Sequence, residues 1–212
     1  LKRTSRDVVA GVSPNAGSTI EALRDRPSKK QPRREPLRTQ LERVCGDLQA
    51  FARRHGVDRT VCVNLTSTEP ALRLGAAHKT LAALDRAIDR DDVRAVRPSL
   101  LYAYAAASLG LPFVHFTPSN SALVPAVREL FERNGAPYMG ADGKTGETLV
   151  KSALAPMFRY RDLRVLTWQG YNILGDRDGR VLADRDNKQS KVETKDGLLG
   201  SILGYPLHTH VG

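Results

Sequence analysis

With 212 residues, 41% of them apolar, the chain can bury one large core or two small ones, and no run of about 18 apolar residues offers a membrane span. The net charge of +10 is uneven: residues 1–60 hold 14 Lys and Arg against 7 Asp and Glu, a local +7, while the remainder sits at +3. Cys45 and Cys62 make neither a disulfide framework nor a metal-ligand spacing. Leu1-Lys2-Arg3 opens no apolar leader and the chain lacks an initiator Met, so the expectation is a fragment or a processed chain in a reducing cytoplasm.

Residues 1–36 carry Pro14, Pro27, Pro32 and Pro36 among paired charges and read as a basic flexible segment. Such a segment can bind nucleic acid, but no aromatic residue interleaves with its basic ones, and a solvated arm is the plainer reading. Leu37, Leu41, Val44, Leu48 and Phe51 then recur at helical spacing, with Gly56 as the stop. Short apolar strands are expected at 60–65, 113–116, 136–139 and 165–169, and helices at 71–90, 98–109, 121–134 and 146–158. The first two strands run into polar turns, Thr66-Ser67-Thr68-Glu69-Pro70 and Thr117-Pro118-Ser119-Asn120. Strands alternating with helices imply an α/β protein with a parallel sheet of βαβ units. Ligands of such sheets lie at the carboxyl ends of the strands, where these turns fall.

Three polar blocks carry the chemistry: residues 140–148, 170–179 and 189–195. Gly143-Lys144-Thr145 fails as a P-loop, because Tyr138 stands where that motif needs its first glycine and Asp142 would repel phosphate. No Gly-x-Gly-x-x-Gly follows a strand, and no serine sits in a Gly-x-Ser-x-Gly elbow. His208 and His210 share one face of a strand but lack further ligands nearby, which favours a structural role over a metal site. His115, inside an apolar strand, reads as a satisfied core residue. Lys191 and Lys195 are one helical turn apart, so two amines can face one site, where they could exchange protons, hold a phosphate or stabilise an enolate. On spacing alone, two solvated lysines remain the simpler account.

Four ordered blocks together change that balance. Pro112-Phe113-Val114-His115-Phe116-Thr117-Pro118-Ser119-Asn120, the Gly140–Thr148 block (family Gly-Asp-Asp-x-Lys-Ser-Gly-Gln-Thr), Tyr171-Asn172 with Gly175-Asp176-Arg177-Asp178-Gly179, and Ser190-Lys191 with Lys195 resemble the myo-inositol-1-phosphate synthase (inositol-3-phosphate synthase) family over roughly residues 40–212. The resemblance implies a Rossmann-like NAD-binding domain, its C-terminal half at 37–120, joined to part of an α/β catalytic and oligomerisation domain at 121–212. It implies an NAD-dependent isomerase that converts glucose 6-phosphate to inositol 3-phosphate by oxidation, enolisation, intramolecular aldol closure and reduction, in a homotetramer. By position, Lys191 and Lys195 match active-site lysines, Asn172 an amide beside the site, and Lys144 a motif lysine. Asp142, Thr145, Asp176 and Asp178 match positions near nicotinamide and ribose, and Leu65, Thr66, Ser67, Thr68, Phe116 and Thr117 match cofactor-lining positions. The family's glycine-rich NAD loop is absent from these 212 residues, Ala141 replaces an acid, and Asp176 replaces an amide. Two other classes stay open: a non-catalytic nucleotide- or phosphate-sugar-binding relative, and a nucleic-acid-binding module led by residues 24–43.

Overall fold

The structure is a computed structural model and describes residues 7–12, 35–66, 69–143, 146–170 and 198–211. Helix α1 (Leu37–His55) buries Leu37, Leu41 and Val44, the face the apolar spacing predicts. It ends at Gly56, whose φ of 57° is the left-handed turn that glycine adopts at least cost, after a last turn bearing Arg53, Arg54 and His55 against the negative helix end. Strands β1 (Cys62–Asn64), β2 (Phe113–His115) and β3 (Tyr138–Met139) form one parallel sheet in that order, with Cys62 opposite Phe113 and Phe113 opposite Tyr138. Helices α2 (Leu81–Asp89), α3 (Pro98–Ser108) and α4 (Pro125–Arg133) fill the connections. Pro98 and Pro125 open their helices, where a missing N–H leaves nothing unsatisfied.

Helix α3 packs against α1, α4, β1 and β2, so it is apolar all round and buries eight residues. Leu37, Leu84, Ile88, Leu100, Leu101, Phe113 and Phe131 form the centre of this core. The sheet extends beyond residue 120, since β3 and α4 belong to the same unit.

The helix expected at 71–90 starts only after Thr80. Upstream, the Asn120 side chain holds Leu72 at both ends, accepting its N–H at 2.8 Å and donating to its carbonyl at 2.9 Å. Those backbone groups are therefore lost to a helix, and Leu72 is buried in the core. The fourth strand also differs from a single continuous sheet. Strand β4 (Thr167–Gly170) pairs in parallel with β5 (His208–Val211), and this second sheet has its own small core of Ala155 from α5 (Gly146–Tyr160) with Leu199 and Leu203 of a helical segment at 198–203. Among the described residues no helix is long and apolar enough to cross a membrane.

Candidate functional site

The carboxyl ends of β1 and β2 are joined by buried polar groups. Asn64, the last residue of β1, donates through Nδ2 to Ser99 Oγ at 3.2 Å and to His115 Nδ1 at 3.0 Å, while its Oδ1 accepts the Thr66 N–H at 3.1 Å. A donor facing Nδ1 makes that nitrogen the acceptor, so the His115 proton sits on Nε2, which donates to Ser119 O at 2.6 Å. Both ring nitrogens are thus used, as the reading of His115 as a satisfied core residue expects. Glu69 is buried in the same network. Its carboxylate accepts the Ser99 N–H at 2.8 Å and the Ser121 hydroxyl at 2.7 Å, and its own N–H donates to Ser119 Oγ at 3.0 Å.

Glycines let the next turns approach. Gly140 has φ 115°, and a Cβ there would lie 2.1 Å from His115 O. A Cβ on Gly143 would lie 2.2 Å from the Phe116 ring, and one on Gly170 would lie 2.4 Å from Glu147 Oε1. At Gly140 only bare backbone fits, because the obstacle is a strand carbonyl, whereas at Gly143 and Gly170 a side chain would have to give way. Between the first two, Asp142 takes φ 76°, and its Oδ1 accepts the Gly143 N–H at 2.9 Å, the local bond that lets an aspartate hold this conformation. The ends of β1 and β2 and the 140–143 loop therefore touch in series. Separately, the end of β4 meets the first turn of α5.

Of the sequence candidates, Leu65, Thr66, Phe116, Thr117 and Asp142 are described and fall on these turns. Thr66 adds a 3.3 Å contact to Ser99 Oγ, and Thr117 is buried with no hydrogen bond from its Oγ1 to the described residues. Ser67, Thr68, Lys144, Thr145, Asn172, Asp176, Asp178, Lys191 and Lys195 lie outside the described residues. Sequence reasoning missed Asn64, Ser99 and Glu69 as the joints of the site. A polar residue ending the apolar run Val61-Cys62-Val63 was the signal for Asn64, but its partners are 35 and 51 residues away. A groove of about 560 Å³ follows the open side of β1, between Val44, Leu48 and Phe51 of α1 and Val61, Val63 and Leu65, and reaches Asn64 and Thr66. Cys62 borders it, but burial pushes that thiol up, away from thiolate chemistry. His208 and His210 stand on the exposed face of β5, and among the described residues no three His, Cys, Asp or Glu form a metal-binding group.

The family model for myo-inositol-1-phosphate synthase, an NAD-binding one, matches residues 13–208. The chain belongs to the myo-inositol-1-phosphate synthase family. An inositol-3-phosphate synthase of Bacteroides thetaiotaomicron is 38% identical over 163 residues, 77% of this chain and 38% of that protein. The Saccharomyces cerevisiae enzyme is 28% identical over 166 residues, 78% of this chain and 31% of its own length. The solved inositol-3-phosphate synthase of Caenorhabditis elegans matches with a TM-score of 0.76 and 25% identity, over 87% of this chain and 38% of its own. A myo-inositol-1-phosphate synthase-related protein from Thermotoga maritima shares the fold, with a TM-score of 0.74 and 24% identity over 95% of this chain and 50% of its own. The chain thus spans less than two-fifths of the length of these curated relatives.

NAD is the cofactor of the myo-inositol-1-phosphate synthase family to which this chain belongs. The strand ends fit such a molecule on two counts. The groove leads onto the end of β1, and the Thr117 hydroxyl, buried without a partner among the described residues, is a polar atom open to a further partner.

Proposed function

We propose that this chain supplies part of the active site of an NAD-dependent isomerase that converts D-glucose 6-phosphate to 1D-myo-inositol 3-phosphate. The observation that carries the reading is the series of close contacts at the strand ends, from Asn64 through His115 to Gly140 and from Gly143 to Phe116. That series puts the Thr66, Thr117 and Asp142 turns side by side. We assign these three, with Ser67, Thr68, Thr145, Asp176 and Asp178, to cofactor binding. Lys191, Lys195, Lys144 and Asn172 are assigned to the sugar phosphate. NAD, when bound, takes hydride from carbon 5 of the open-chain sugar and returns it, so the reaction has no net redox change.

The remaining work belongs to the chain. A ketone at carbon 5 acidifies carbon 6, an unprotonated lysine amine takes the carbon 6 proton, and a neighbouring lysine ammonium stabilises the charge of the resulting enolate. As carbon 6 bonds to carbon 1, the aldehyde oxygen becomes an alkoxide, and a second ammonium gives it a proton. Asn64, His115 and Glu69 hold the turns in place, with their hydrogen bonds turned inward. We place the end of the nucleotide-binding half after Met139 rather than at 120, because β3 pairs within the same sheet. A homotetramer in the cytoplasm completes the proposal.

The test is formation of inositol phosphate from glucose 6-phosphate and NAD⁺ by the protein carrying this chain, followed by phosphorus NMR. Lys191→Ala should lower turnover by about a hundredfold or more while NAD⁺ still binds. Near-normal turnover in that variant would reject the role of Lys191. NAD⁺ binding without any product from the unaltered protein would favour a non-catalytic relative.

A further inference from the structure

Phe116 follows the carboxyl end of β2, the central strand of the sheet, and is 41% exposed, yet the reading above gives its ring no task. Its backbone is fixed there, since its N–H donates to Asn64 O at 3.0 Å between β1 and β2. Its ring lies on the 140–143 loop. A Cβ built on Gly143 would stand 2.2 Å from Cε1, 2.2 Å from Cζ and 2.6 Å from Cδ1, and distances so nearly equal belong to a point above the ring, not at its rim. The Gly143 backbone thus covers one face, and the exposed area comes from the other face and the rim. The next residue, Thr117, has its hydroxyl buried with no hydrogen bond from Oγ1 to the described residues. Two adjacent side chains at one strand end each leave a surface for something else, a flat apolar face and a polar atom. The charge beside them is negative. Asp142 precedes Gly143, its Oδ1 accepts the Gly143 N–H at 2.9 Å, and it makes no ion pair among the described residues.

We propose that the open face of Phe116 receives the nicotinamide ring of NAD, and that Asp142 beside it selects the oxidised, positively charged form. The face of an aromatic ring is negative, so a flat cation is held there more strongly than a flat neutral ring. The nicotinamide of NAD⁺ is such a cation, and a carboxylate nearby adds to its attraction. Adenine is flat but neutral, and the nicotinamide of NADH has lost its charge. The same two side chains therefore distinguish the two ends of the cofactor and its two oxidation states. The inference rests on the proposed function for its ligand, and adds which half of that ligand lies at the end of β2 and which residues choose it.

The test is equilibrium dialysis of the protein carrying this chain with NAD⁺, NADH and ADP-ribose, the last of which lacks nicotinamide. Phe116→Leu removes the ring and keeps an apolar side chain. It should weaken NAD⁺ by about tenfold, NADH by about threefold at most and ADP-ribose by about twofold at most. Phe116→Tyr keeps the face and should bind all three within about twofold of the original. Asp142→Asn keeps the turn, because asparagine also adopts this φ and its Oδ1 still accepts the Gly143 N–H, and should lower the preference for NAD⁺ over NADH by about threefold. A preference kept in full would overturn selection by charge. Unchanged NAD⁺ affinity in Phe116→Leu would overturn the contact. So would equal losses for NAD⁺ and ADP-ribose, because a ring that only seats the loop, or that holds adenine, weakens both alike. If Phe116→Leu does not fold, Phe116→Trp decides: NAD⁺ should raise a charge-transfer absorption band that the unaltered protein lacks and that NADH and ADP-ribose do not raise, and no band rejects the contact. If the unaltered protein binds neither NAD⁺ nor ADP-ribose, the functional reading itself fails, whereas a bound cofactor indifferent to position 116 sinks this inference alone.

Discussion

Two glycines with positive φ show why the same residue type answers to different demands. Gly56 ends α1 at φ 57° with open space around it, so a methyl group there meets only backbone strain. Gly140 at φ 115° lies so close to β2 that a Cβ would fall 2.1 Å from His115 O and 2.9 Å from His115 C, neither of which can move without breaking the strand. Gly56→Ala should therefore cost about 1 kcal/mol, whereas Gly140→Ala should cost about 4 kcal/mol or more. Urea unfolding of the two variants measures the difference. Equal losses would mean that the 140–143 loop is not seated on β2. The sequence marks both as loop glycines. What each one abuts is invisible there, because His115 is 25 positions from Gly140 and only the folded sheet brings them together.

Helix starts supply the next level of argument. Helices α1 and α3 follow Pro36 and Arg97, neither of which caps with its side chain. Carboxylates from elsewhere do so instead. Asp91 accepts the Leu37 N–H of α1 at 2.8 Å, and Glu69 accepts the Ser99 N–H of α3 at 2.8 Å. Helix α2 has Thr80 as its own cap and also takes Glu129, which accepts the Leu81 N–H at 2.9 Å. A negative group at a helix start satisfies a free N–H and meets the positive end of the helix dipole. Asp91→Ala, at a half-buried position whose φ of 59° an alanine adopts with strain, should cost about 2 kcal/mol. Glu69→Ala should cost about 3 kcal/mol, since it strands the Ser99 N–H and the Ser121 hydroxyl in the interior. Shifts in the urea midpoint check both, and a Glu69→Ala loss no larger than that of Asp91→Ala would remove Glu69 from its central place. The helices themselves were readable because apolar residues repeat along α1, α3 and α4 and glycine or proline marks their ends. The delayed start of α2 was not, because Asn120 claims Leu72 from 48 residues away. Nor does alternation of strands and helices reveal that β4 pairs with β5 rather than with β3.

At the scale of the whole molecule, the described residues cover the three-stranded sheet on one side only. Cys62 and Asn64 turn their backbone groups toward β2, as the Cys62 N–H to Pro112 O and Phe116 N–H to Asn64 O bonds require, so the N–H and C=O of Val63 face the open edge. Across the sheet, Val63 aligns with Val114 and then Met139, and Val63 and Met139 are 52% and 64% exposed. Parallel sheets are ordinarily buried on both faces. With an open edge beside an apolar face, these 212 residues on their own should bind a hydrophobic dye and associate as concentration rises. Val63→Lys places a charge in the middle of that surface without touching the core on the other side of the sheet. Dye fluorescence and the concentration dependence of light scattering should both fall, while the unfolding free energy changes by no more than about 1 kcal/mol. If association persists at full strength in Val63→Lys, the contact surface lies elsewhere, and the exposed side of α5, with Leu149, Val150 and Met157, becomes the next face to charge.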